Sequence, residues 1–376
     1  MSSSMPSSSQ PSQPSQPSSV HRPDRSMFRQ LASDAAVRLV PVYRQLVCDT
    51  MTPVTVFEAL DDGRSACLFE SVIGGEKVGR YSIVAAEPFM VLTAYGQEVT
   101  VREGDSSTTY TSPDPLDELR KKIASFPAAH LDELPPFTGG AIGYAGYDVV
   151  RYSEHLLNAP LDDRNLPDLW FGMFDRVVIF DNVTKTVFVI AMARLDQFQG
   201  SAADEVPTAG ASSADAPTAD APTADAYADA CRRVDEWVDR LDNPASALRP
   251  TDIDIRGECE LQYESNFGKE EFKDAVEKCV RYIEAGDIFQ VVISQRLRVP
   301  LRVPEFEIYR TLRVVNPSPF MFFVRADDAV LVGSSPEIMC RVVDGKVTVR
   351  PLAGTRRRGR TEADDDAPGL QASARI

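Results

Sequence analysis

Histidine is scarce: only His21, His130 and His155 occur in 376 residues. None lies beside a serine or cysteine in a nucleophile arrangement, so Ser/His and Cys/His hydrolase chemistry has no support. GxGxxG, Walker and HExxH patterns are also missing, which speaks against dinucleotide, P-loop nucleotide and zincin readings. Six cysteines (Cys48, Cys67, Cys231, Cys259, Cys279, Cys340) are scattered with no CxxC pair and no histidine at metal-ligand spacing. They read as small core residues in a reducing compartment. No apolar run approaches the roughly 18 residues that a membrane helix needs, so a soluble chain is expected. Positive charge is in deficit as well. Forty Lys and Arg against 56 Asp and Glu leave a formal charge of −16, which argues against a nucleic-acid partner for the chain as a whole.

Two compositional extremes mark out the organisation. The N-terminus, MSSSMPSSSQPSQPSQPSS, is a Ser/Gln/Pro repeat with nothing to bury, and disorder is expected over residues 1–26. A second low-complexity stretch, with ADAPT in tandem, is expected as an insertion over 199–228. It separates a first domain, 27–198, from a second, 229–362, with an atypical tail at 363–376.

Local patterns supply the elements. RVVIFDN and TKTVFVIAMARL read as strands. Phe272, Val276, Cys279, Val280 and Ile283 recur at helical spacing behind Gly268, with Gly286 as the C-cap. DIFQVVISQRLRV then alternates like a strand. FMFFVRA and AVLVGSS flank an Asp327-Asp328 turn, and Asp344-Gly345 signals a hairpin within CRVVDGKVTVRPL. The class is α+β. The glycine-rich GGAIGYAGYD from Gly139 lacks phosphate-loop spacing and reads as close backbone packing in a sheet.

Residues 341–361 reverse the overall charge, with seven basic side chains against the single acid Asp344. Within them, Ala353-Gly354-Thr355 could let a carboxylate approach backbone N–H groups and the Thr355 hydroxyl, with arginines at 350, 356, 357, 358 and 360 nearby. On these residues alone an ordinary solvated basic turn is an equal reading. Gln290 is either a satisfied core amide or a group lining a site.

Six ordered stretches, LFESVIGGEKVGRYSIVAAEP (68–88), FTGGAIGYAGYD (137–148), AGDIFQVVISQRL (285–297), NPSPFMFFV (316–324), LVGSSPEIM (331–339) and RPLAGTRRRGRT (350–361), resemble the large components of anthranilate synthases, a group of chorismate-utilising enzymes. The resemblance implies an antiparallel-sheet sandwich with helices outside. It implies conversion of chorismate and ammonia, the latter from glutamine through an amidotransferase subunit, to anthranilate and pyruvate, as the first step of tryptophan biosynthesis in the cytoplasm. Gly354 and Thr355 match the chorismate contacts, and Gln290 and Thr355 are the implied catalytic positions. Glu70, Ser71, Pro319, Phe320 and Met321 match a site where tryptophan binds as a feedback inhibitor. An apolar wall suits the indole, and the Glu70 carboxylate and Ser71 hydroxyl suit the amino-acid end.

Two positions separate subfamilies. Related aminodeoxychorismate synthases often carry a nucleophilic lysine where this chain has Ala353, and isochorismate and salicylate synthases carry a water-activating lysine where it has Gln290. Neither lysine is present, which favours anthranilate over the aminodeoxychorismate alternative. Phe320 and Leu352 are mild departures from tyrosine and isoleucine. Beyond Thr361, where the resembling proteins supply acidic ligands for Mg²⁺, EADDDAPGLQASARI departs from them. The chain is therefore expected to be truncated before its C-terminal catalytic motifs, to hold no metal ligands and to be inactive alone. Edges and apolar faces between 265 and 361 are expected to be left uncovered. A non-catalytic tryptophan-binding fragment is the remaining alternative.

Overall fold

The computed structural model describes residues 20–47, 49–71, 80–199, 221–242, 248–250, 252–255, 257, 261–327, 329–336, 340–343 and 345–349. Residues 1–19, most of the low-complexity stretch, the AGT loop and the acidic tail lie outside them, whereas residues 20–26, expected to be disordered, are ordered: Arg22 pairs with Tyr43 and a helix begins at Arg25. Residues up to Ser334 cluster as one unit and the rest as another.

Continuous apolar strands have a structural cause here. Strand β10 (Thr186–Arg194) is buried at every position from Val187 to Ala193. Its odd-numbered residues Val187, Val189, Ala191 and Ala193 face a layer of helices, and Phe188, Ile190 and Met192 face a second sheet. A strand sandwiched on both sides needs no polar alternation. It sits second in a seven-stranded sheet of order β1-β10-β9-β3-β2-β13-β14. The other strands are β1 (Leu39–Val47), β2 (Ala66–Glu70), β3 (Tyr81–Ala86), β9 (Arg176–Asp181), β13 (Phe320–Ala326) and β14 (Ala329–Ser335). Each registered pair from β1 to β13 is antiparallel.

The second sheet has order β6-β5-β4-β8-β7, from β4 (Met90–Tyr95), β5 (Glu98–Glu103), β6 (Ser106–Thr111), β7 (Gly140–Ala145) and β8 (Leu169–Phe174). Val91, Ile142, Trp170 and Phe174 pack toward the first sheet. Met90, Leu92, Ala94, Val99, Val101 and Met173 form a separate core with Leu119 of helix α3 (Pro115–Ala124). This is the sandwich with outer helices that the resemblance implied. Gly143 shows why the glycine-rich stretch packs so closely. A Cβ there would lie 1.9 Å from the Trp170 carbonyl oxygen and 2.7 Å from the Phe171 Cα, so β7 reaches β8 only without a side chain.

The helices on the outer face of the large sheet include α1 (Arg25–Ala32), α2 (Pro53–Leu60) and α4 (Ala221–Asp242). Tyr227, Ala230, Val234, Trp237, Val238 and Leu241 line the buried stripe of α4. The helix begins at Ala221, so the expected boundary at 228/229 falls inside it, and it covers the sheet of the first expected domain. Strands β13 and β14, from the second expected domain, complete that same sheet. The two expected domains are thus continuous up to Ser334, because β2 takes its second neighbour, β13, from the second segment. Ion pairs secure α4: Arg233 to Asp175 at 2.5 Å and Arg240 to Glu87 at 2.8 Å, with the Arg176 guanidinium 4.8 Å from the Trp237 ring centroid. Burial pushes the Asp175 carboxyl upward, opposed by Arg233 and Arg176.

Helix α5 (Lys269–Ala285) forms as expected, between Gly268 and a left-handed Gly286. The alternating stretch after it does not become a strand. Only Leu297–Arg298 (β12) pairs, with Glu264–Ser265 (β11), and Phe289 and Val292 are 92% and 83% exposed. A strand requires a hydrogen-bonding neighbour, and among the described residues none pairs with the backbone of 288–295. The hairpin at Gly345 forms, with β15 (Arg341–Val343) against β16 (Lys346–Thr348). Of the described cysteines, only Cys67 is a core residue. Cys231 and Cys279 are half-buried and Cys340 is exposed. Cys48 and Cys259 lie outside the described residues.

Trp237→Ala is expected to cost about 3–5 kcal/mol, read from urea unfolding, because it removes the largest side chain between α4 and the sheet. Gly143→Ala is expected to prevent β7–β8 pairing, seen as lost amide protection along Gly140–Ala145 in hydrogen exchange.

Candidate functional site

An acid at the end of the apolar strand ACLFE needs a buried partner. Side-chain alternation on β2 points Ala66, Leu68 and Glu70 to the helix-covered face, and Cys67 and Phe69 to the inter-sheet face. On the helix side, α6 (Glu305–Val315) crosses over Glu70 and presents Tyr309 and Arg313, four residues apart and hence on one face. The Tyr309 hydroxyl donates to Glu70 Oε2 at 2.6 Å, across 239 residues of sequence. Arg313 Nη2 donates to Oε1 at 2.9 Å. Arg313 Nε lies 2.6 Å from Oε2 as a charge contact without hydrogen-bond alignment. Only 5% of Glu70 is exposed and Tyr309 is fully enclosed. The Tyr309 hydroxyl is pushed far up by burial and then by the adjacent carboxylate, so it stays a neutral donor.

Aromatic rings wall this group. Phe306 stacks on Tyr309 with centroids 5.8 Å apart, and Phe57 of α2 and Phe323 of β13 close the sides at 4.8 and 5.2 Å from Phe306. Their low-dielectric surroundings strengthen the charge pairing and also make an unpaired Glu70 costly.

The five residues expected to bind tryptophan meet at one end of the β2–β13 pair, but they do not share a face. The register sets Met321 opposite Glu70 and Phe322 opposite Phe69. Met321 therefore shares the helix-covered side with Glu70. Continued by one residue, the same register sets Ser71 opposite Phe320 on the inter-sheet side. Pro319 and Phe320 are half-buried, and so is Ser71. Buried Ser318 directs its hydroxyl to Met321 Sδ at 3.5 Å, and Ser334 Oγ donates to the Asn316 carbonyl at 2.7 Å. The Glu70 side chain is thus not available as sequence reading expected: both of its oxygens are engaged by α6.

Gln290 stands exposed on the unpaired segment after α5. Gly354 and Thr355 lie outside the described residues, so the expected chorismate contacts are not brought together with Gln290 among those described. No group of three or more His, Cys, Asp or Glu among the described residues could hold a metal ion, so Mg²⁺ has no fit there. An open concavity of about 830 Å³ beside α1 and α4, lined by His21, Arg25, Tyr227, Cys231 and Asp235, includes none of the expected site residues. Sequence reading missed Tyr309 and Arg313. The available signal was their i, i+4 spacing in EFEIYRTLRVV together with the unpartnered acid in ACLFE.

Residues 65–371 match the family described as chorismate binding enzyme. The chain is 35% identical over 333 residues to "Anthranilate synthase component 1" of Acetivibrio thermocellus, covering 88% of this chain and 62% of that protein. It is 37% identical over 352 residues to the protein of the same name from Acinetobacter calcoaceticus, covering 90% and 64%. It is 38% identical over 350 residues to "Anthranilate synthase alpha subunit 1, chloroplastic" of Arabidopsis thaliana, covering 88% and 55%. The chain thus spans between about half and two thirds of the length of the curated relatives it matches. The crystal structure of anthranilate synthase component I from Streptococcus pneumoniae TIGR4 superposes with a TM-score of 0.55 at 25% identity, covering 80% of this chain and 59% of that one.

Arg313→Met is expected to destabilise the protein by about 3 kcal/mol, at the low end for a broken buried pair because Arg313 keeps 30% side-chain exposure. Tyr309→Phe is expected to cost about 1.5–3 kcal/mol, as for loss of a hydrogen bond to a charged group. Chemical denaturation of both variants, and of Glu70→Gln/Arg313→Met, checks this. The double variant is expected to be more stable than Arg313→Met alone.

Proposed function

The chain belongs to the chorismate-binding enzyme family, and from that premise we propose that it serves as the large component of an anthranilate synthase. The reaction is conversion of chorismate and ammonia to anthranilate, pyruvate and water. A C–N bond forms on the ring, the ring hydroxyl departs, and the enolpyruvyl group leaves as pyruvate. Glutamine is the ammonia source, through a separate amidotransferase subunit, and tryptophan is the feedback inhibitor. The observation that carries this reading is the β2–β13 pairing. It brings LFES and NPSPFMF together at one sheet end, where Ser71, Pro319 and Phe320 can enclose an indole and an amino-acid head.

In this reading the Gln290 carboxamide lines the ammonia side as a neutral group, and the Gly354 backbone and Thr355 hydroxyl receive a chorismate carboxylate. Ala353 offers no amine for covalent attack, which sets the chain apart from the aminodeoxychorismate alternative. Mg²⁺, when bound, would orient that carboxylate. No step is assigned to it on these residues. No helix among those described is long and apolar enough to cross a membrane, which accords with work on polar metabolites in the cytoplasm.

The protein isolated from its source cells, given chorismate, ammonium and Mg²⁺, is expected to release anthranilate and pyruvate in equal amounts, with tryptophan lowering the rate. Accumulation of aminodeoxychorismate, identified by mass spectrometry, would overturn the reading. The 376-residue chain alone is expected to form no anthranilate, because Gln290 stands exposed on an unpaired segment. Fluorescence detection of anthranilate from that chain would refute this.

A further inference from the structure

We infer that Tyr309 and Arg313 are positioning residues of the regulatory site: through Glu70 they fix the spacing between Ser71 and Pro319–Phe320. Helix α6 is therefore the element through which an amino-acid ligand acts, and the Glu70 side chain is not its ammonium acceptor. This rests on the reading that tryptophan binds at this end of β2 and β13. Three observations carry it. Both Glu70 oxygens are already engaged by α6 in an almost closed space. Strand alternation aims Glu70 away from the side that Ser71 and Phe320 share. The third is connectivity. The Asn316 N–H donates to the Leu312 carbonyl at 2.9 Å, ending α6, and Pro317-Ser318-Pro319 then lead directly into β13.

One wall of the site is thus Ser71, which follows β2, and the other is the Pro317-Ser318-Pro319 link that follows α6. The Glu70–Tyr309–Arg313 group is the fastening between them. A ligand seated between Ser71 and Pro319–Phe320 stabilises the arrangement in which that fastening is made, so ligand binding and docking of α6 favour one another.

Calorimetry with two ligands tests this: tryptophan, and indole-3-propionate, which lacks the amino group. The proteins are the wild type, Glu70→Gln, Tyr309→Phe, Arg313→Lys and Arg313→Met, each checked for cooperative unfolding. The expected result is that Glu70→Gln and Tyr309→Phe weaken both ligands by a similar factor, about tenfold, a difference of about 1.4 kcal/mol. The preference for tryptophan over its analogue then stays at the wild-type value. Arg313→Lys is expected to bind more tightly than Arg313→Met. In the wild type, tryptophan is expected to slow amide exchange along Glu305–Val315, and in Tyr309→Phe it is not.

Selective loss of tryptophan affinity in Glu70→Gln, with the two ligands becoming equal, would show that Glu70 takes the ammonium and would overturn the inference. Unchanged tryptophan affinity in Tyr309→Phe and Arg313→Met would also overturn it. A wild-type protein that binds neither ligand would instead refute the regulatory-site reading on which the inference stands.

Discussion

The antiparallel pairing of β2 with β13 is the constraint on which the rest of the structure depends. Without it the large sheet ends at β2, and the apolar residues of Ala66–Glu70 lose a neighbour on one edge. The pairing joins segments that are remote in sequence, so loop-closure entropy opposes it. Side-chain contacts on both faces offset that cost. On the helix side are the Glu70 group and the rings of Phe57, Phe306 and Phe323. On the inter-sheet side are Cys67, Phe69, Phe322 and Val324.

A second fastening lies at the far end of β13. Asp327, with a positive φ of 50°, accepts from Arg102 of β5 at 2.7 Å and from the Trp170 indole of β8 at 3.0 Å, and it receives the Ser65 hydroxyl at 3.3 Å. One turn residue thus ties the large sheet to the small one. Arg325 adds a bond to Asp61 at 2.9 Å beyond the end of α2. Strand β13 is consequently held at both ends by buried or half-buried charges. A register slip would strip those charges of their partners and turn Met321 and Phe323 from the helix-covered core to the inter-sheet one. These polar contacts specify the register that apolar packing alone would leave degenerate.

The segment from 261 to 303 shows the opposite balance. Helix α5 has no buried residue, and Val276, Val280 and Tyr282 on it are exposed, as are Phe289 and Val292 after it. Its most specific anchor is Arg296, which bonds Asp163 through both terminal nitrogens and holds that carboxyl down to about 2. Local propensity and caps form α5 with little packing, whereas a strand gains nothing from propensity without a neighbour. That difference explains why Phe272–Ile283 was readable as a helix and DIFQVVISQRLRV misled.

The sequence by itself determined the family, the α+β class, the strands β9 and β10, helix α5 and the turns at Asp327 and Gly345. Those depend on short patterns and on motifs whose order survives in the chain. It also singled out Glu70, Ser71 and Pro319–Met321, which the β2–β13 pairing sets close together. Only the tertiary structure decided that Glu70 faces α6 while Ser71 and Phe320 face the other way. It also decided that α4 covers the first sheet and that the two expected domains share that sheet. Strand pairing and side-chain alternation act between segments far apart in sequence, and no local window contains both partners.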